Sequence, residues 1–313
     1  MFLGIQPNLV ERTVFEAVRQ DTALRPHYER QFADCYDHRE CHRRDQAFAD
    51  LHERWFNELG LRDLIAAVVN EFPHFRDQVS RLMVTQAPGP RAQTAELFGA
   101  PGQYTVVIAV APATLLDRYA FQYWARHEFM HVDDMLDPAF GYDAKQRPNG
   151  GTAAAKNLMQ DRYAVLWALS VDARLMHRGL APADVRSKRR AELKRAFALN
   201  DAERAGYMFE EFWEQGRWFA PSHHRLLGWA QEGLPGNLHN ETHTQNANEL
   251  PHAGAPCALC GFPTFDWAGQ ESGLDELRAA ICADFPNWTP RQPICGRCAE
   301  VYRTSGNAQA VLA

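Results

Sequence analysis

Tyr104-Thr-Val-Val-Ile-Ala-Val110 is the strongest strand signal in the chain, β-branched and continuous, and its flanks set the fold class. Pro112 follows. Helical periodicity then runs to Leu136, and Pro138 closes it. Upstream, Arg81-Leu-Met-Val-Thr-Gln86 reads as a second strand, broken off by Ala87-Pro-Gly-Pro90. Farther back the spacing is helical. Residues 9–20 and a long stretch over 27–59 carry apolar positions three and four apart, such as Phe48, Leu51, Trp55 and Leu59. Gly60 stops that helix, and another runs from Leu61 to Phe72, ahead of Pro73. Downstream, residues 140–151 form a Gly/Pro/Asn-rich loop. A helix then covers 153–178 up to Gly179, and two or three more fill 182–231. The expected class is α+β, mostly helical, with a small sheet packed on the helix that follows Val110.

Composition narrows the classes of function. The 313 residues are 46% hydrophobic and 23% charged, which is ordinary globular usage with ample core and excludes whole-chain disorder. A formal charge of -6 and a pI near 6.1 speak against a dedicated nucleic-acid binder. The basic run Arg186-Ser-Lys-Arg-Arg190 reads as a solvated helix face. No stretch reaches the roughly 18 consecutive apolar residues of a membrane helix. Met1 to Asn8 lacks the basic and apolar regions of a signal peptide. A cytoplasmic protein with no membrane association is expected. Of the seven cysteines, four form two Cys-x-x-Cys pairs, and an odd total suits metal ligation better than a disulfide set.

Arg126-His-Glu-Phe-Met-His131 places His-Glu-x-x-His inside the helix after the strand. Residues four apart share a helix face, separated by about 6 Å of rise, so both imidazoles can reach one ion. Glu128 projects beside that face, where it can hold a water and take its proton. The flanks Tyr123, Trp124 and Val132 are apolar, as a buried site helix requires. Strand, His-Glu-x-x-His helix and further helices together resemble the zincin superfamily of metallopeptidases, over residues 80–180. The resemblance implies zinc on His127 and His131, with Glu128 as general base.

A catalytic zinc usually has three protein ligands and one open position. Three aspartates compete for the third place. Asp137 lies six residues after His131, where metzincins place a ligand, but position 134 is Asp and not the Gly that bends their chain. Gluzincins bring a carboxylate from a second helix, and here Asp161 and Asp172 are eleven residues apart on one face of such a helix. Leu169, Val171 and Leu175 surround Asp172, which therefore needs a partner, either a metal or an arginine from a neighbouring helix. Asp161 sits near a polar helix start, where the helix dipole accounts for it. The surroundings favour Asp172, with Asp137 and Asp161 as alternatives. An Asp at this place departs from the Glu of gluzincins. Asp134 shares the face of the two histidines and could orient one of them. Tyr142, His177, His223 and His224 are candidate oxyanion donors.

Cys257-Ala-Leu-Cys260 and Cys295-Gly-Arg-Cys298 make two knuckles whose four thiolates suit a closed tetrahedral zinc site. A module of about fifty residues has little core and needs such a staple. The insert between the knuckles carries a helix near Leu274 to Ala283 and an aromatic patch of Phe262, Phe265, Trp267, Phe285 and Trp288. Cys282 reads as packed on that helix. The module resembles a zinc ribbon. A zincin followed by a ribbon is similar in layout to SprT-like proteases, which act on DNA-bound proteins. It departs from them by roughly a hundred mostly helical residues between the two zinc sites, and by its acidic balance. Cys35, His38, Cys41 and His42 crowd one stretch of the long N-terminal helix, with 35, 38 and 42 on one face, among charged neighbours that favour a solvated surface.

The expected organisation is a helical region at 1–80, a zincin-like core at 81–233, a polar linker at 234–256, a zinc-ribbon-like module at 257–303 and a tail at 304–313. The expected function is that of a zinc-dependent hydrolase, a peptidase or amidohydrolase, with one catalytic and one structural zinc and a peptide or protein substrate. The alternative is a non-enzymatic metal-dependent binding or maturation factor that docks a protein partner through the ribbon.

Overall fold

The computed structural model describes residues 1–146, 152–199, 202–216, 221–233, 255–264, 266–268, 274–286, 288–289 and 292–310. The chain divides into two compact units, Met1–Pro138 and Ala139–Ala313. It is mostly helical, with a small mixed sheet.

The first unit contains β1 (Phe2–Ile5), α1 (Pro7–Gln20), α2 (Arg25–Asp34), α3 (Cys41–Glu58), α4 (Leu61–Val69), α5 (Pro73–Gln78), β2 (Val79–Gln86), β3 (Thr94–Phe98), β4 (Tyr104–Val110), α6 (Pro112–Leu116) and α7 (Arg118–Leu136). The sheet order is β1-β2-β4-β3. β1 and β4 each run parallel to β2, and β3 pairs antiparallel with β4 at the edge. The register sets Leu82 opposite Val106 and Val84 opposite Ile108, all four fully buried. That pairing places the apolar run of β4 in the core. β3 lies against α7. α1, α2, α5 and α6 each begin with a proline in their first two positions, where its fixed φ suits the helix and its missing N–H costs nothing.

The expected long helix over 27–59 is two helices. Tyr28 and His52 are 24 residues apart, about 36 Å along a continuous helix. In the structure α2 folds back so that Tyr28 Oη meets His52 Nε2 at 2.9 Å and Trp55 Nε1 donates to Gln31 at 2.8 Å. Burying the aromatic faces of both segments overrides local periodicity, and the chain breaks at Cys35–Asp37 with extended backbone at His38 and Glu40. The expected helix over 61–72 is likewise divided, with α4 ending at Val69 and α5 starting at Pro73. The helix after Pro112 breaks at Asp117, which is extended and caps α7. β1 and β3 lie where no strand was expected.

The second unit contains α8 (Ala153–His177), α9 (Val185–Ala196), α10 (Ala202–Gly216), α11 (His223–Glu232), the short pair β5 (Ala255–Pro256) and β6 (Pro263–Thr264), α12 (Leu274–Asp284) and α13 (Gly296–Ala310). Thr152 caps α8 by accepting from Ala155 N at 3.2 Å. Gly179, at φ 70°, ends it with the paired bonds of a left-handed cap, Gly179 N to Met176 O and Leu180 N to Leu175 O. α9, α10 and α11 pack against α8. Most of the expected linker, 234–254, lies outside the described residues, as does Phe265. α13 continues through the expected tail to Ala310. Among the described residues, no helix is long and apolar enough to cross a membrane.

Candidate functional site

α7 is held at both ends and along one stripe. Asp117 Oδ1 accepts from Ala120 N at 3.0 Å and starts the helix. Arg126 forks onto Glu71 with two bonds of 2.8 Å. Phe129 is fully buried against Phe72 and Phe75, with ring centroids 6.2 and 4.9 Å away. Asp133 accepts from Phe75 N at 2.9 Å at the start of α5 and meets His74 Nδ1 at 3.2 Å. Arg126, Phe129 and Asp133 thus fix the rotation of α7. The neighbouring stripe carries His127 and His131.

Those two rings converge. His127 Nε2 and His131 Nε2 lie 3.2 Å apart, with ring centroids at 4.8 Å and planes at 78°. Nitrogens this close share either a proton or a cation. Two imidazoles on one tetrahedral ion at about 2.0–2.1 Å place their nitrogens about 3.3 Å apart, so the pair matches the bite of such an ion. His127, Glu128 and His131 are all half-buried, which lets them reach both the protein and a ligand.

Asp137, Asp161 and Asp172, and the orienting candidate Asp134, have different settings. Asp137 is the extended C-cap that ends α7. Asp134 is buried on α7. Asp161 and Asp172 belong to the second unit. Asp161 is exposed. Asp172 is fully buried and receives Arg189 Nε at 2.6 Å, while Arg189 also reaches Glu192 at 2.5 Å. Burial works against the Arg189 charge, but the Asp172 and Glu192 carboxylates outweigh it and raise its pKa. The partner that a buried Asp172 requires is thus supplied by α9. Among the described residues, the only group of three or more ligand-type side chains with all ligand atoms within 4.8 Å of one another is elsewhere, at the four C-terminal cysteines.

The candidate oxyanion donors also lie in the second unit. His177 and His224 are exposed, and Tyr142 is 37% exposed. His223 is buried, bonded through Nδ1 to Tyr163 Oη at 2.8 Å and packed against Phe140 and Tyr142. Burial lowers its pKa, against weaker opposing contributions from the backbone of Gln146 and Asp143.

Cys257, Cys260, Cys295 and Cys298 form one cluster that can hold a metal ion. Cys257 Sγ lies 3.9 Å from Cys298 Sγ, and Cys260 Sγ 3.9 Å from Cys295 Sγ. Thiolates on one tetrahedral ion at about 2.3 Å sit about 3.8 Å apart. Gly261 follows the first knuckle at φ 71°, a left-handed turn that lets the chain wrap the sulfurs. Backbone N–H groups of Leu259 and Cys295 point at Cys257 Sγ (3.4 and 3.2 Å), and that of Cys298 at Cys295 Sγ (3.4 Å). Hydrogen bonding with the Cys260 and Cys298 side chains holds the Cys257 pKa far below the ordinary thiol value. The same bonds push Cys260 up to about 12 and Cys298 higher still. Holding several thiolates this close together takes a cation. Cys282 is half-buried in the same core and donates to Trp288 O at 3.4 Å.

The N-terminal Cys/His cluster does not converge, because the helix expected to align it is broken. Cys35 is buried and bonds Gln31 O, Cys41 is exposed beside Arg44 and Asp45, and His42 faces Glu40. Gly261 and the Tyr163–His223 bond were missed from sequence. The glycine directly after Cys-x-x-Cys was a usable signal, whereas a contact across sixty residues leaves none. No family model, curated protein or solved structure matches this chain.

Proposed function

We propose that this chain is a metal-dependent hydrolase, with zinc as the simplest ion, acting on amide bonds of a peptide or protein. The observation that carries the reading is the convergence of His127 Nε2 and His131 Nε2 to 3.2 Å beside Glu128. His127 and His131 would hold the ion. When bound, it supplies Lewis-acid polarisation of a carbonyl and lowers the pKa of water from about 15.7 toward about 7. Glu128 orients the attacking water, takes its proton and passes it to the leaving amine. Its half-buried position keeps it reachable from outside while limiting competing water. The four cysteines would hold a second, structural zinc, because a closed sulfur set leaves no position for a substrate.

The test is Glu128→Gln in the full-length protein, assayed on a peptide library with metal content measured alongside. Turnover should fall by about 10²–10⁴-fold while bound metal is unchanged. Undiminished turnover would sink the reading. A second reading, a metal-dependent binding factor without turnover, is favoured by one observation. Asp172, expected to complete the site, is paired with Arg189 at 2.6 Å. Full metal occupancy with no cleavage of any library peptide by the unaltered protein would select it.

A further inference from the structure

The core around the four cysteines extends beyond the C-terminal module. Ala155, Leu158 and Met159 of α8, each at most 4% exposed, belong to the same apolar cluster as the cysteines, Ile281 and Trp288. Gly261, directly after the first knuckle, packs over Leu158, whose Cδ1 would be in van der Waals contact, at 3.5 Å, with a side chain at that position. The next turn of α8 carries Arg162 and Tyr163. Arg162 Nε donates to Ala196 O at the end of α9 (3.1 Å), and its guanidinium lies 5.0 Å over Phe197. Tyr163 Oη bonds His223 at the start of α11 (2.8 Å). One line of contacts therefore runs from the cysteines through the first turns of α8 to two further helices.

We propose that the metal on the four cysteines is a latch for α8, fixing its N-terminal turns and, through Arg162 and Tyr163, the ends of α9 and α11 that they touch. This rests on the four-cysteine metal site proposed above. Without an ion to bind all four sulfurs, the two knuckles are no longer tied to each other, and the core shared with α8 loosens. A helix end whose buried residues lose their cover frays, since helical stability comes mainly from packing.

The test uses full-length His131→Ala protein, so that the cysteine site is the only one left to load, with hydrogen exchange read along the chain. Stripping zinc with a chelator should speed exchange at residues 155–163 by about tenfold or more, leave β2 and β4 unchanged, and reverse when Zn²⁺ is returned. Zinc removed with no change at 155–163 overturns the latch while leaving the metal site standing. If the protein carries no zinc that Cys260→Ser removes, the site itself falls, and the latch with it. Leu158→Ala keeps all four ligands and supplies the reciprocal reading, because coupling runs both ways. It should release zinc several-fold faster, and unchanged release overturns the proposal.

Discussion

His52 shows how burial alone can set a stability profile. It is 5% exposed, bonded to Tyr28 Oη at 2.9 Å and ringed by Phe15, Phe32 and Phe48. Desolvation lowers its pKa, and Glu11 opposes this only in part. In the unfolded chain the imidazole takes its proton near pH 6.5. Below that pH the unfolded state binds more protons than the folded one, so stability is complete above about pH 6.5 and falls as the pH drops toward the depressed folded value. His223, also buried with a lowered pKa, acts in the same direction. Thermal unfolding from pH 7.5 down to 5 should therefore show a falling midpoint. His52→Gln should fall less steeply over that range, with the His223 part remaining. An unchanged slope would remove His52 as a source.

At the scale of elements, the join between α8 and α9 depends on a buried ion pair. Asp172 is fully buried on α8, and Arg189 on α9 is 18% exposed at its side chain. Removing one member of a buried pair costs about 3–5 kcal/mol, because the other charge is left without compensation. Glu192 still meets Arg189, so the lower end applies. Asp172→Ala should lose about 3 kcal/mol in chemical denaturation. Asp161→Ala, at an exposed position of the same helix, should lose under about 0.5. Equal losses would show that the pair does not hold the two helices. The two aspartates could be ranked from sequence because burial follows from their neighbours along the helix. Their partners could not be named, because Arg189 is brought in by packing. The same division holds for the strands. β4 was legible in its continuous β-branched run. β1 has only four residues, and β3 carries a Glu, so both exist through pairing with strands already formed. The break between α2 and α3 contains neither Gly nor Pro, and contacts across it, such as those of Tyr28, Gln31 and Phe32 with the following helix, account for it.

At the scale of the whole chain, each unit carries one candidate metal centre, and the two differ in kind. The first is a pair of half-buried imidazoles four residues apart, legible because both come from one helix. The second is four sulfurs from two knuckles, legible because each knuckle is local, although the core it shares with α8 was not. These donor sets predict different behaviour. A closed four-thiolate site in a folded core contributes about 10–16 kcal/mol of apparent binding free energy and exchanges slowly. A centre that leaves a position for water and substrate opens directly to small chelators. The full-length protein should bind two zinc ions per chain, one withdrawn quickly by a small chelator and one slowly. His131→Ala should remove the fast ion and leave the slow one, and Cys260→Ser should do the reverse. Cobalt should report the same split, with thiolate charge-transfer bands lost in Cys260→Ser and kept in His131→Ala. A single ion per chain that survives His131→Ala would leave the histidines sharing a proton instead of a metal and would withdraw the catalytic reading, while the four-cysteine centre would stand.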